Sequence, residues 1–215
     1  MFEVLFTASL LIFMTWLLFS ASRARGKFSR SPNMAVFEIK NSGDFFSQSL
    51  PEIFHCLHNQ KWNRFLFGGP YIALEKIVRP GEVRRFVALP KTCEKVLQNN
   101  PGFLKAEESA IPRNKFYSAA YLSRLAGKIN FESPKLHEDE GAALQVLIRR
   151  RDYGPGKVFL ESNLKLLVWA DSQERAKKIL GMKSNPAARL DFFHRIFENR
   201  HRLKVSLKEL KEYLA

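Results

Sequence analysis

The sequence predicts an α+β protein in which an N-terminal transmembrane helix precedes two small split-βαβ (ferredoxin-like) layers. Three observations lead to this prediction: an unbroken apolar run over residues 4–20, a hairpin pattern over residues 71–89, and a partial return of that pattern over residues 145–180. We therefore expect four segments in the chain. They are a transmembrane anchor (1–21), a basic linker (22–33), a first α+β unit (34–110) and a second α+β unit with a C-terminal helix (111–215).

The apolar run has the length that a helix needs to cross a bilayer core, which is roughly 17 to 25 residues. Glu3 is the only charged side chain before the run, whereas Arg23, Arg25, Lys27 and Arg30 follow it. The positive-inside rule then predicts a single-pass protein of the bacterial inner membrane, with its N-terminus outside and the remaining chain in the cytoplasm. A cleaved secretory signal is the alternative, but it requires basic residues before the apolar core.

The composition indicates a folded domain with an anionic partner. The chain carries 35 Lys and Arg against 21 Asp and Glu, a formal net charge of +14. Such an excess points to nucleic acid or to anionic lipid headgroups at a membrane. The two cysteines, Cys56 and Cys93, form no CxxC motif, so with a cytoplasmic domain we expect two reduced, mostly buried thiols.

The first unit follows from short-range patterns. Residues 35–40 alternate as a strand does, and apolar residues then recur at helical spacing up to Leu57. The runs 71–78 and 83–89 flank a Pro-Gly turn and form the clearest predicted hairpin. A short helix over residues 91–99 completes the unit.

The second unit repeats this order. A helix is predicted over residues 115–127, with Asn114 as its cap, and strands are predicted over 145–149 and 163–170. Residues 171–174 form a capping box that begins a helix ending at Leu180, and Ser206 caps a last helix over Leu207–Leu214.

The sequence contains no phosphate-binding motif and no complete catalytic or metal-binding motif. A P-loop requires GxxxxGK followed by Ser or Thr, and the sequence has neither this motif nor a GxGxxG after a strand. His55 and His58 flank Cys56 on the first helix, but no third metal ligand accompanies them. The acidic run from His137 to Glu140 could supply an acid–base pair, although a solvated loop explains it as well. We therefore expect no enzyme activity, cofactor or metal.

Basic residues are the predicted binding residues for nucleic acid or lipid. Some of them lie among phenylalanines near residue 195, an arrangement that suits nucleic acid, although a core-facing set of phenylalanines with a solvated basic face is the alternative. The predicted contacts are Arg23, Arg25, Lys27, Arg30, Arg84, Arg85, Arg149, Arg150, Arg151, Arg200 and Arg202.

Several runs together resemble a known family. They are FEIKNSGDFFSQSLPEIFHCLH, VRRFVALPKTCEKVL, QVLIRR, NLKLLVWADSQERAKKIL and DFFHRIFENRHRLKVSLKELKEYL. Their order is similar to the membrane-proximal α+β region of bacterial type IV secretion ATPases of the coupling-protein (conjugative DNA transfer) type, over most of residues 35–214. The resemblance implies a position between a membrane anchor and a P-loop ATPase. The sequence stops where that ATPase would begin, so no motor residue is carried over.

The resulting hypothesis is a membrane-anchored, non-enzymatic component of a type IV secretion or DNA-transfer apparatus that docks a partner ATPase. DNA, membrane lipid and a second copy of the chain are its further expected partners. The alternative hypothesis is a stand-alone basic membrane protein that binds nucleic acid or anionic lipid headgroups. A small enzyme that uses the loop around His137 is the third possibility.

Overall fold

The computed structural model describes residues 13–14, 34–41, 45–58, 70–107, 110–123, 136–152 and 158–214. The strands are β1 (Met34–Ile39), β2 (Ile72–Arg79), β3 (Glu82–Pro90), β4 (Phe103–Ala106), β5 (Phe116–Tyr121), β6 (Gly141–Asp152), β7 (Val158–Ala170) and β8 (Leu203–Val205). The α-helices are α1 (Leu50–His58), α2 (Lys95–Gln98), α3 (Gln173–Leu180), α4 (Pro186–Phe193) and α5 (Leu207–Leu214). A π-helical turn (Phe45–Ser49) precedes α1, and 3-10 turns span Lys91–Cys93 and Asn199–His201.

All eight strands belong to one antiparallel sheet with the order β4-β1-β3-β2-β6-β7-β5. The eighth strand, β8, pairs with β7 beyond the end of β5, opposite Leu160 to Ser162. The prediction of two separate ferredoxin-like layers is therefore wrong. Strand β2 pairs with β6 over seven residues, from Ile72–Ile148 to Val78–Ala142, and this pairing makes the two halves one continuous sheet.

The two halves nevertheless have corresponding strand orders. In each half the second and third strands form a hairpin (β2–β3 and β6–β7), and the first strand pairs with the third (β1 with β3, β5 with β7). The third strand then leads directly into a helical segment, at Lys91 in the first half and at Gln173 in the second. The two halves differ in the fourth strand, because β4 pairs with β1 whereas β8 pairs with β7.

Side chains alternate between two faces of the sheet, as the strand period requires. The first face is apolar and packs against α1, α2, α3 and α5, with Ile53, Leu97, Leu180 and Leu210 buried there. The second face packs against α4 through Ala188 and Phe192. Both faces of the central strands are thus covered, which explains why β2, β6 and β7 are buried along most of their length.

Most of the predicted elements are confirmed. Strand β1, the β2–β3 hairpin and helices α3 and α5 lie where the patterns predicted them. Gly81 in the hairpin turn has φ 74°, a left-handed conformation that glycine adopts without steric cost. The helix predicted over residues 115–127 is wrong, because its first half forms strand β5 and pairs with β7 from Phe116 to Tyr121.

The predicted membrane anchor also requires correction. Within the part of the chain that the structure describes, no helix combines the length and the apolar character needed to cross a bilayer. Only Phe13 and Met14 of the apolar run are described, and both are helical and exposed. The rest of the predicted anchor and the linker lie outside the described residues. The transmembrane part of the fold prediction and the single-pass inner-membrane location are therefore not supported.

A disulfide joins Cys56 on α1 to Cys93 in the 3-10 turn after β3, with the two Cα atoms 6.0 Å apart. The expectation of two reduced thiols is therefore wrong. That expectation rested on a cytoplasmic location inferred from the anchor, and not on the local environment of either cysteine. The bond attaches α1 to the first face of the sheet across 37 residues of sequence.

We predict that reduction of this disulfide lowers the free energy of unfolding by about 2–4 kcal/mol, because a cross-link over such a loop restricts the unfolded chain. Urea denaturation of the oxidised protein, with and without a phosphine reductant, measures the change. The double variant Cys56→Ser/Cys93→Ser is the control and should be insensitive to the reductant. Equal stability of the oxidised and reduced protein would contradict the prediction.

Candidate functional site: an apolar groove at a cationic end of the sheet

An apolar groove of about 610 Å³ opens on the first face, at the end of the sheet where β6 ends and β7 begins. Its volume lies within the range of about 300–1,000 Å³ that is typical of ligand sites. The lining is mostly apolar and comes from the π-helical turn, α1, β6, β7, β8 and the start of α5. The lining residues are Phe46, Leu50, Pro51, Phe54, Arg150, Leu160, Lys204, Val205, Ser206, Leu207 and Glu209.

One wall of the groove is helical. Phe46, Leu50 and Phe54 recur every four residues and therefore lie on one side of the π-helical turn and α1. Pro51 is the second residue of α1, directly after the π-helical turn. The disulfide at Cys56 attaches this same helix to the sheet.

The opposite wall is the start of α5. The Ser206 hydroxyl accepts a hydrogen bond from the Glu209 N–H at 3.2 Å, and the Glu209 carboxylate accepts one from the Ser206 N–H at 2.7 Å. This reciprocal capping box fixes the first turn of α5. Hydrogen bonds from Ser206 lower the pKa of Glu209, so that its charge is stabilised within the cap. Leu207, the first residue of α5, lines the groove and is 50% exposed.

Cations surround the groove at this end of the sheet. Arg150 and Lys204 line it, and Arg200 and Arg202 are exposed on the segment that leads into β8. The strand register explains why two sequence runs meet here: Glu161 of β7 lies opposite Arg149 on one side and opposite Lys204 on the other. The structure thus brings the predicted binding residues at positions 149–151 close to Arg200 and Arg202. Arg151 continues strand β6 beside them.

Arg149 differs from its neighbours because it is buried. Its guanidinium forms an ion pair with Glu161 at 2.6 Å, donates a hydrogen bond to the Asn199 side chain at 2.9 Å and stacks over Phe197 at 4.3 Å. This side chain therefore joins β6 and β7 to the 3-10 turn that carries Arg200. Its predicted contact with nucleic acid or lipid stays a prediction.

The remaining predicted cations lie elsewhere. Arg84 is at the opposite end of the sheet, where it pairs with Glu38 at 2.7 Å. The pKa of Glu38 is lowered by this hydrogen bond and ion pair. Arg85 lies opposite Lys76 on the neighbouring strand, and burial together with the Arg85 charge lowers the pKa of Lys76. Arg23, Arg25, Lys27 and Arg30 lie outside the described residues.

A row of buried polar residues crosses the second face of the sheet. Glu75 lies opposite Gln145, Gln145 opposite Lys165, and Lys165 opposite Tyr121, on four successive strands. The Gln145 amide donates to the Glu75 carboxylate at 2.9 Å and to the Phe192 carbonyl at 2.9 Å. The row is thereby joined to the last turn of α4.

Lys165 is the centre of this row and is completely buried. Its ammonium donates to the side-chain oxygen of Gln145 at 3.2 Å and to the carbonyls of Asp191 at 3.0 Å and Ile196 at 2.5 Å. Desolvation lowers the pKa of Lys165 to about 7, although the nearby carboxylates Asp191, Glu75 and Glu198 act in the opposite direction.

Two further contacts complete the attachment of residues 191–202. Arg195, which has φ 50°, pairs with Glu75 at 2.8 Å, and its carbonyl accepts a hydrogen bond from the Tyr71 hydroxyl at 2.5 Å. The Asn163 amide donates to the carbonyls of Glu198 and His201 at 2.9 and 2.8 Å. This segment leads directly into β8 and α5, so the buried row positions one wall of the groove.

The loop around His137 is held in place by the contacts of one carboxylate, that of Glu140. The Glu140 carboxylate accepts a hydrogen bond from the His137 N–H and pairs with Arg175 of α3 at 2.7 Å. The Arg175 hydrogen bond lowers the pKa of Glu140, which keeps this carboxylate ionised. A carboxylate held in this state serves as an ion-pair partner, whereas a general acid requires a proton to give.

Arg150 of the groove lining was among the predicted binding residues, but the apolar residues of the lining were not. Phe46, Leu50, Leu160 and Val205 look like core positions in the sequence, and the structure buries all four in the core. The one available signal was Leu207, which follows the cap of an amphipathic helix and would be expected to face the core with Leu210.

We predict that Lys165→Met lowers the free energy of unfolding, by about 2–4 kcal/mol, because buried acceptors lose their donor. The size of this loss depends on pH. Below about pH 7 the amine is protonated in both folded and unfolded states. Above that pH the folded protein releases a proton that the unfolded chain keeps until about pH 10.4, so wild-type stability rises with pH by up to ~1.4 kcal/mol per unit.

Urea denaturation of both proteins at pH 6, 7, 8 and 9 measures this dependence. The difference between wild type and Lys165→Met should widen from pH 7 to pH 9, since only the wild type has the titrating amine. A constant difference across this interval would show that Lys165 titrates in the same range in the folded and unfolded protein.

No protein-family model matches the chain, and no curated protein matches its sequence.

Proposed function

We propose that this chain is a non-enzymatic docking module that binds a partner protein through the groove beside α1 and α5. The observation that carries the proposal is the groove itself, an apolar cavity of about 610 Å³ with cations at its edge. Most apolar side chains of the lining are largely buried, but Leu207 is half exposed, and apolar surface of this kind is costly to leave in water. The walls are fixed by the disulfide on one side and by the capping box on the other, so the groove is formed before binding.

The resemblance to the coupling-protein ATPases supplies the identity of the proposed partner. In that family an α+β region stands next to a P-loop ATPase, and a separate ATPase of a DNA-transfer apparatus is therefore the partner that we propose for this chain. DNA and anionic lipid headgroups stay predictions for the exposed arginines at the same end of the sheet.

The docking proposal predicts that a tagged full-length chain recovers a P-loop ATPase, and that the same complex forms again from the two purified proteins. Leu207→Glu should weaken the reconstituted complex about tenfold or more, because it places a charge on exposed apolar surface of the groove. Dissociation constants from biolayer interferometry measure the effect.

Leu190→Glu is the matched control. Leu190 is a leucine of α4 that is exposed to a similar degree, 55% against 50% for Leu207, and it does not line the groove. Retained binding by this control, with loss by Leu207→Glu, supports the groove as the docking site. Equal binding by wild type and Leu207→Glu would refute it.

The same proposal predicts that the purified chain hydrolyses no ATP or GTP in the presence of magnesium. Phosphoryl transfer requires a phosphate cradle and a residue that orients the attacking group, and the sequence contains neither P-loop nor Gly-rich phosphate motif. A phosphate-release assay checks this point. Activity that co-elutes with the monodisperse protein and persists through successive columns would contradict the proposal.

A further inference from the structure

We infer that the segment bound in the groove is an amphipathic α-helix of the partner protein with acidic residues along the edges of its apolar face. This inference rests on the proposed docking function and names the chemistry of the occupant. Three properties of the groove carry it: the arrangement of its walls, its apolar lining and the sign of the charge around it.

The walls favour a helix over an extended segment. The lining consists of side chains from the π-helical turn and α1, from β6, β7 and β8, and from the start of α5. A strand added to a sheet requires a row of open backbone groups at an edge, whereas a helix satisfies its own backbone and binds through side chains. A groove lined mainly by side chains, next to an outer strand of only three residues, matches the second mode.

The apolar lining fits residues that recur along one side of such a helix. Phe46, Leu50 and Phe54 follow one another at four-residue spacing along the first wall and are mostly buried, whereas Leu207 at the start of α5 is half exposed. An approaching helix with apolar residues at positions i, i+3 or i+4, and i+7 presents the same periodicity.

The charge around the groove determines which residues can flank the apolar face of a helix that binds there. Arg150 and Lys204 line the groove, and Arg200 is exposed at the same end of the sheet, where Arg202 lies 3.8 Å from Glu161 of the second face. The one acidic residue of the lining, Glu209, is held in the capping box with Ser206. The net charge around the groove is positive. It therefore attracts a helix whose apolar face is flanked by acidic residues and repels one that is flanked by basic residues.

A matched pair of synthetic peptides tests the inference. Both are 18-residue amphipathic helices with leucines on one side; the flanks carry glutamates in the first peptide and lysines in the second. Fluorescence anisotropy with the full chain should show that the acidic peptide binds at least about tenfold more tightly than the basic peptide, and that the difference shrinks as salt screens the charges.

Variants assign the binding to the groove. Leu207→Glu should weaken binding of the acidic peptide about tenfold, and Arg150→Glu should reduce or reverse the preference for acidic flanks. Leu190→Glu and Arg189→Glu, on the exposed surface of α4, are the matched controls and should bind like the wild type. Circular dichroism of each variant checks that it is folded.

Other occupants give distinct results. Binding of a long-chain fatty acid without binding of either peptide would assign the groove to a small amphiphile. Binding of a single-stranded oligonucleotide without either peptide would assign the cationic end to nucleic acid. A wild-type dimer in sedimentation that Leu207→Glu makes monomeric would assign the groove to a second copy. Each of these results overturns the acidic helix.

The test separates this inference from the proposed function. If the ATPase complex forms and depends on Leu207 while neither peptide binds, the docking function stands and the acidic helix is refuted. If the acidic peptide binds in the groove but no ATPase is recovered, the chemistry of the occupant stands and the identity of the partner is refuted. Equal binding of the acidic and basic peptides refutes the inference in either case.

Discussion

The structure depends on the buried polar groups of the second sheet face. Glu75, Gln145 and Lys165 lie side by side on three central strands, in positions that an antiparallel sheet normally fills with apolar residues. Each of these groups would destabilise the fold by several kcal/mol if it were buried without a partner. The backbone carbonyls of residues 191–196 and the Arg195 guanidinium supply those partners, so this segment has to lie where it does.

This requirement links the interior to the candidate site. The segment that satisfies Lys165 continues through the 3-10 turn, where Asn163 and Arg149 bind it again, and then into β8. From β8 the chain enters α5 and its capping box, which forms one wall of the groove. Polar contacts have directional geometry, whereas apolar packing tolerates small shifts, so the buried network fixes the position of this wall more strictly than an apolar core would.

Local patterns in the sequence predicted the elements but not their assembly. The β2–β3 hairpin, the capped helices and the correspondence between the two halves all rest on short-range signals, such as the turn at Gly81 and the cap at Ser206. Whether two hairpins form separate layers or one sheet depends on the β2–β6 pairing, whose partners are some 70 residues apart. The sequence predicts a helix at β5 because apolar residues recur at helical spacing after a possible cap at Asn114, and pairing with β7 overrides that local signal.

The strand order also determines which strands lie at the edges of the sheet, where another chain could add a strand during folding. One outer edge is β4, with four residues, and the other is divided between β5 and β8, with six and three. The outer side of β5 is also engaged, since the Asn185 N–H donates to the Ala119 carbonyl at 2.7 Å. The long apolar strands β6 and β7 lie inside, away from both edges. A sheet with such short outer strands offers little template for intermolecular strand addition, which protects a β-rich chain against amyloid-like aggregation.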